Sequence, residues 1–133
     1  MTVDDLPTSR ANRWRSDAYR HAVALRLRDL GLHDVRLTTS DEAGDLFGIP
    51  GWVATAKNPA SLDLSTTLDE VVKIARADSP SAFPAAILAR RGRTVDESYV
   101  LLQLSDFADV VARLNGAAGA QLSVRVRPCA VEP

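Results

Sequence analysis

Apolar residues recur at helical spacing through the first quarter of the chain. They predict a helix from residue 13 to residue 30, and its buried positions are Tyr19, Val23, Leu27 and Leu30. Gly31 follows as a candidate C-cap, because glycine tolerates the left-handed conformation that ends many helices. Residues 1–12 lack this periodicity and are predicted to form a flexible N-terminal arm.

Shorter apolar runs, several of them alternating with polar residues, predict strands. The segments are 35–39, 46–49, 52–57, 83–89 and 98–104, and turn-forming residues lie at 40–44 and 50–51. Amphipathic spacing predicts a second helix from Ser61 to about Ser79, and a third that uses Ser105 as N-cap and ends near Gly116. Alternation at 121–127 predicts a terminal strand.

This order of elements predicts an α/β or α+β domain whose sheet is covered by helices, and we expect the α/β form with a mixed sheet. The helix between the third and fourth strands is long enough to connect two parallel strands. The 133-residue chain leaves room for one core, so we expect a domain at 13–116 followed by a C-terminal extension at 117–133. The terminal strand pairs either with its own sheet or with another chain, as a homo-oligomer or protein-partner contact.

Composition narrows the function classes only slightly. The net charge is −1, yet six arginines and one acid lie between residues 10 and 28, a bias that either phosphate binding or a GC-rich genome explains. The lone Cys129 and the absence of zinc-ligand spacing indicate a reduced, cytoplasmic, zinc-free protein. No run approaches the roughly 18 apolar residues of a membrane helix, so we expect no membrane partner.

The segment from Gly44 to Asn58 carries the most specific pattern. It places Asp45 before a Pro50-Gly51 turn, with Lys57 and Asn58 ending the next strand. Together with Asp69-Glu70 and the basic loop at 90–93, this spacing resembles the phage-type Holliday-junction-resolvase-like family of PD-(D/E)XK nucleases. The resemblance covers about residues 13–115.

The resemblance implies a restriction-endonuclease-like fold with an αβββαβ core, here with an extra C-terminal strand. It also implies phosphodiester hydrolysis with Mg²⁺ or Mn²⁺, in which Asp45 binds the metal and Lys57 steadies the attacking oxygen. Two positions depart from the family pattern, because Thr55 stands where a glutamate is usual and Arg20 where the first helix usually carries an acid. Glu70 is the candidate replacement for the missing carboxylate, as a catalytic residue and metal ligand.

Two functions follow from this pattern. One is a DNA endonuclease in the cell interior, whose predicted nucleic-acid contacts are Arg13, Arg15, Arg20, Asn58, Arg90, Arg91 and Arg93. The other is a catalytically inactive homologue that serves as a binding or structural protein, in a phage virion or its assembly. Single residues also have simpler interpretations: Thr55 as a packing residue, Lys57 as a solvated lysine, and Tyr99 and Phe107 as core residues.

Overall fold

The computed structural model describes residues 8–117 and the side chains of residues 15–116. Its contacts divide the chain into a first unit that ends at Leu102 and a second that begins at Gln103. The first unit contains α1 (Thr8–Asp29), β1 (Arg36–Leu37), β2 (Leu46–Phe47), β3 (Trp52–Lys57), α2 (Leu64–Asp78), β4 (Phe83–Leu88), a 3-10 turn (Val95–Glu97) and β5 (Tyr99–Leu101). The second contains α3 (Leu104–Ala117).

The strands form one mixed sheet in the order β1-β2-β3-β4-β5. β3 and β4 are parallel, whereas every other neighbouring pair is antiparallel. Parallel neighbours need a crossover connection, and α2 supplies it, as the sequence predicted. The α/β class with a mixed, helix-flanked sheet is therefore confirmed.

Capping residues define the start of α2 and the end of α1. The side chain of Asp63 accepts a hydrogen bond from the amide of Thr66 and caps the start of α2. At the end of α1, Gly31 has a φ of 114° and its amide donates to the carbonyl of Arg28. This confirms the predicted role of Gly31 in ending the helix.

The two faces of β3 bury different residues. Ala54 and Ala56 pack in one core cluster with Tyr19, Val23 and Ala24 of α1. Alternation along the strand directs Thr55 and Lys57 to the opposite face, where α2 contacts β3 and β4. Because elements cover both faces of the strand, residues 53–56 are all buried, and Thr55 is the buried polar residue of β3.

Several predicted boundaries were wrong. α1 begins at Thr8 and so includes part of the predicted arm, because residues 8–12 contain no proline or glycine that would stop a helix. α3 begins at Leu104, since the amide of Phe107 already donates to the carbonyl of Gln103, so Ser105 is not the N-cap. The predicted strand at 121–127 lies outside the described residues.

Three residues that were predicted to be buried are exposed. Leu30 is 60% exposed because α1 ends one residue before it, at Asp29. Tyr99 is 42% exposed because β5 is the last strand of the described sheet. Phe107 on α3 is 53% exposed. Among residues 8–117, no helix is both long and apolar enough to cross a membrane.

Candidate functional site

Asp45 is held against the backbone of β3. It directly precedes β2, and its amide donates to the carbonyl of Ala54 at 2.7 Å. Its carboxylate oxygen Oδ2 accepts a hydrogen bond from the amide of Ala56 at 2.9 Å. The pairing of Leu46 with Ala54 places Asp45 beside Thr55, on the face of the sheet that α2 covers.

Thr55 occupies the centre of this face. The residue is buried, with 3% exposure, on a strand that lies between β2 and β4. In the parallel pairing of β3 with β4, Thr55 is in register with Ala86. The hydroxyl Oγ1 has no hydrogen-bond partner among the described residues. A neutral hydroxyl therefore stands where the family pattern has a carboxylate.

Lys57 lies two residues further along the same face. Its Nζ is 3.9 Å from Oε1 of Glu70 on α2, and both side chains are partly exposed. This distance is at the outer limit of an ion pair, and an exposed pair of this kind contributes little stability. Strand alternation therefore puts Asp45, Thr55 and Lys57 on one face of the sheet, and Glu70 on α2 lies beside Lys57.

The donor set on this face does not fit a resident Mg²⁺ or Mn²⁺. Hard cations require several oxygen ligands, preferably carboxylates. Here Thr55, beside Asp45, is neutral, one oxygen of Asp45 accepts a hydrogen bond from the Ala56 amide, and Glu70 faces the Lys57 ammonium. Within residues 8–117, no three His, Cys, Asp or Glu side chains are grouped so that they could hold a metal ion.

A second feature lies at the carboxyl ends of β3 and β4, where open α/β sheets commonly bind ligands. A recess of about 880 Å³ is bordered by α1, by the loop after β3 and by the β4–β5 loop. We call it the arginine cavity, because the charged residues lining it are Arg15, Arg90, Arg91 and Arg93. None of the described residues that line it is an aspartate or glutamate.

The β4–β5 loop is fixed to α1 by two side-chain contacts. Tyr19 donates its hydroxyl proton to Oγ of Ser98 at 2.5 Å, and Arg26 forms a two-point ion pair with Asp96 at 2.6 and 2.9 Å. Burial raises the pKa of the Tyr19 phenol, which the Ser98 hydrogen bond opposes. The hydrogen bond from Arg26 lowers the pKa of Asp96, because it stabilises the charged carboxylate.

Contacts within the loop orient its arginines. The Arg90 guanidinium lies 4.9 Å from the centre of the Tyr99 ring and donates to the carbonyl of Glu97. Arg93 pairs with the Glu97 carboxylate at 3.2 Å. Glu97 also accepts from the amide of Thr94, the main cause of its lowered pKa. These bonds hold the basic segment in a compact turn.

The predicted nucleic-acid contacts are partly brought together. Five of the seven line the arginine cavity: Arg15, Asn58, Arg90, Arg91 and Arg93. Arg20 does not line it and instead pairs with Asp17 one turn earlier on α1. The side chain of Arg13 lies outside the described residues. Lys57 does not line the cavity, although its neighbour in sequence, Asn58, does.

The sequence analysis did not identify Tyr19, Ser98 and Tyr99 as lining residues. Tyr19 and Tyr99 were interpreted as packing residues, and nothing about Ser98 singled it out. Strand alternation along residues 98–101 puts Ser98 and Val100 on one side and Tyr99 on the other. Alternation alone does not predict which helix or loop packs against either side, so it does not locate the cavity.

Comparisons with known proteins leave the chain without an assigned relative: no family model matches it, and no curated protein or solved structure gives a significant match.

Proposed function

We propose that this protein binds the phosphate backbone of DNA at the arginine cavity, on a nuclease-like fold that has lost metal-dependent cleavage. The observation that carries the proposal is the meeting of Arg15 from α1 with Arg90, Arg91 and Arg93 from the β4–β5 loop in one recess. Arginine suits phosphate because its planar fork donates two parallel hydrogen bonds. The concentration of positive charge is local, since the whole chain carries −1.

The order of elements supports the nuclease-like part of the proposal. A helix, three antiparallel strands, a crossover helix and a parallel fourth strand follow one another in the first unit. That is the αβββαβ order that the sequence resemblance implies. A shared architecture does not carry activity with it, so the function has to be argued from the side chains.

The loss of cleavage is argued from the carboxylates. Metal-assisted hydrolysis needs a cation that polarises the phosphate and lowers the pKa of its bound water. Thr55 cannot supply the missing charge, and Asp45 already accepts a hydrogen bond from the β3 backbone. Phosphate binding needs neither a metal ion nor carboxylate ligands, because arginine side chains contact the DNA backbone directly.

Binding is tested with fluorescently labelled four-way junction, flap and linear duplex DNA, followed by anisotropy. We expect all three to bind, with affinity that falls as salt rises, because phosphate contacts release counterions. Arg91→Ala combined with Arg93→Ala should weaken binding by at least tenfold. Arg76→Gln is the matched control, because Arg76 contacts the carbonyl of Ala82 at the opposite end of the sheet. Absence of salt-sensitive binding would leave the structural role as the better explanation.

Cleavage is tested on the same substrates with Mg²⁺ and with Mn²⁺. We expect no product from the wild-type chain. Product that disappears in both Asp45→Ala and Glu70→Ala would show that these two residues do act together on a metal. That result would overturn the loss of cleavage but leave DNA binding at the arginine cavity intact.

A further inference from the structure

The arginine cavity is lined by apolar and aromatic residues as well as by arginines. Its volume of about 880 Å³ lies within the roughly 300–1,000 Å³ typical of pockets that enclose small ligands. A site for the phosphates of an intact duplex would need only cations on an open surface. The recess also offers apolar and aromatic area, which a phosphate does not use.

The apolar area comes from the loop after β3. Pro59, Ala60 and Leu62 line that side of the recess, and Leu62 is 52% exposed. Exposed apolar area gains free energy when a ligand covers it, in proportion to the area removed from water. A sugar or a nucleobase can cover this area, whereas a phosphate group cannot.

The aromatic area comes from β5. Tyr99 lines the recess, and the Arg90 guanidinium lies over its ring, so the two form a cation–π pair. Unpaired nucleobases stack on tyrosine rings and on arginine planes with little sequence preference. Asn58 and Ser98 add groups that donate and accept hydrogen bonds, which suits the edge of a base.

We infer that the arginine cavity takes one unpaired nucleotide at a strand end or branch point of DNA. The nucleotide's phosphate contacts the arginines, and its base lies against Tyr99 and the apolar segment at 59–62. In an intact duplex the bases are stacked and paired, so only the backbone can reach the recess. This inference rests on the proposed DNA-binding function and narrows it to DNA with unpaired nucleotides.

The test compares a blunt duplex with a duplex of equal length that ends in a short single-stranded overhang. We expect the overhang to bind about tenfold more tightly, because stacking of one base on an aromatic side chain contributes on this order. Thymidine 5′-monophosphate should compete with the overhang DNA. Tyr99→Leu keeps an apolar side chain on β5 but removes the flat ring, so it should abolish the tenfold preference, whereas Tyr99→Phe keeps the ring and should retain it.

The outcomes separate the two proposals. Equal affinity for blunt and overhanging DNA, or failure of the mononucleotide to compete, overturns the inference and leaves backbone binding in place. Failure of every DNA to bind overturns both. Circular dichroism of Tyr99→Leu must match the wild type, and Arg76→Gln must keep the tenfold preference.

Discussion

Thr55 has a buried hydroxyl without a hydrogen-bond partner in the described part of the chain. Leaving a buried polar group unpaired costs about 1 to 3 kcal/mol, and replacing it with an apolar group of the same shape removes that cost. We therefore expect Thr55→Val to raise the free energy of unfolding by about 1 kcal/mol. Urea unfolding measures it, and the slope of the transition should not change.

Thr38 provides the matched control for this substitution. Its hydroxyl donates to the carbonyl of Gly44 at 2.7 Å in a partly buried position. Thr38→Val should lower the free energy of unfolding by about 1 kcal/mol, because the carbonyl loses its donor. If both variants are destabilised equally, the hydroxyl of Thr55 has a partner in solution, and its unpaired state is refuted.

Asp45 has two competing interpretations that one pair of variants separates. If its task is to accept the Ala56 amide, Asp45→Asn retains an acceptor oxygen and should stay close to wild-type stability. Asp45→Ala removes the acceptor and should cost about 1 to 2 kcal/mol in urea unfolding. A metal ligand would behave differently, because the asparagine variant would lose any stabilisation by Mn²⁺ that the wild type shows.

At the scale of elements, the contacts between α1 and the β4–β5 loop support the arginine cavity. Arg26 and Asp96 form one contact, and Tyr19 and Ser98 form the other. We expect Tyr19→Phe combined with Arg26→Gln to increase amide hydrogen exchange in residues 90–98 by at least fivefold. Hydrogen-exchange mass spectrometry measures it, with Arg36→Gln as the control, since Arg36 pairs with Glu42 away from the loop. Unchanged exchange in residues 90–98 would mean that the loop holds its conformation without α1.

The turn before β2 has a pH-dependent contact. Hydrogen bonds from Arg36, and secondly from the Thr39 amide, lower the pKa of Glu42 from 4.5 to about 2. A lowered folded-state pKa means that the charged carboxylate stabilises the fold above pH 4.5, and that this stability is lost as the pH falls toward 2. The effect is small because the pair is exposed. Carboxyl NMR titration should give a midpoint near 2, and Arg36→Gln should raise it; an unmoved midpoint would contradict the assigned cause.

The elements were easier to predict than the site. Strand and helix types follow from periodicity, and the crossover by α2 follows from the order of elements, so both were predicted correctly. Lys57 and Asn58 show where this reasoning stops: they are neighbours in sequence, but Lys57 contacts Glu70 on α2 while Asn58 lines the arginine cavity. Strand alternation predicts that the two side chains point to opposite faces of the sheet. The recess on one of these faces forms only because α1 and the β4–β5 loop pack around it.

At the scale of the whole molecule, the described charges are distributed unevenly. The arginine cavity has four cationic lining residues, whereas a second recess near the start of β3 is lined by Asp34, Asp41, Glu42 and Asp78. Both recesses belong to the first unit. A polyanion is attracted to the first and repelled by the second, so in the proposed complex this asymmetry would favour a single orientation of DNA even though the net charge is −1.

If DNA binds as proposed, the salt dependence of its affinity counts the phosphate contacts, because each contact releases counterions. For duplex DNA, each neutralised phosphate contributes about 0.9 to the slope of log affinity against log salt concentration. Removal of Arg91 and Arg93 together should therefore reduce the slope by about 2, and Arg76→Gln should leave it unchanged. Anisotropy titrations between 50 and 200 mM salt, roughly the range in which such slopes are resolved, measure it. Equal slopes in all three proteins would show that DNA contacts a different surface.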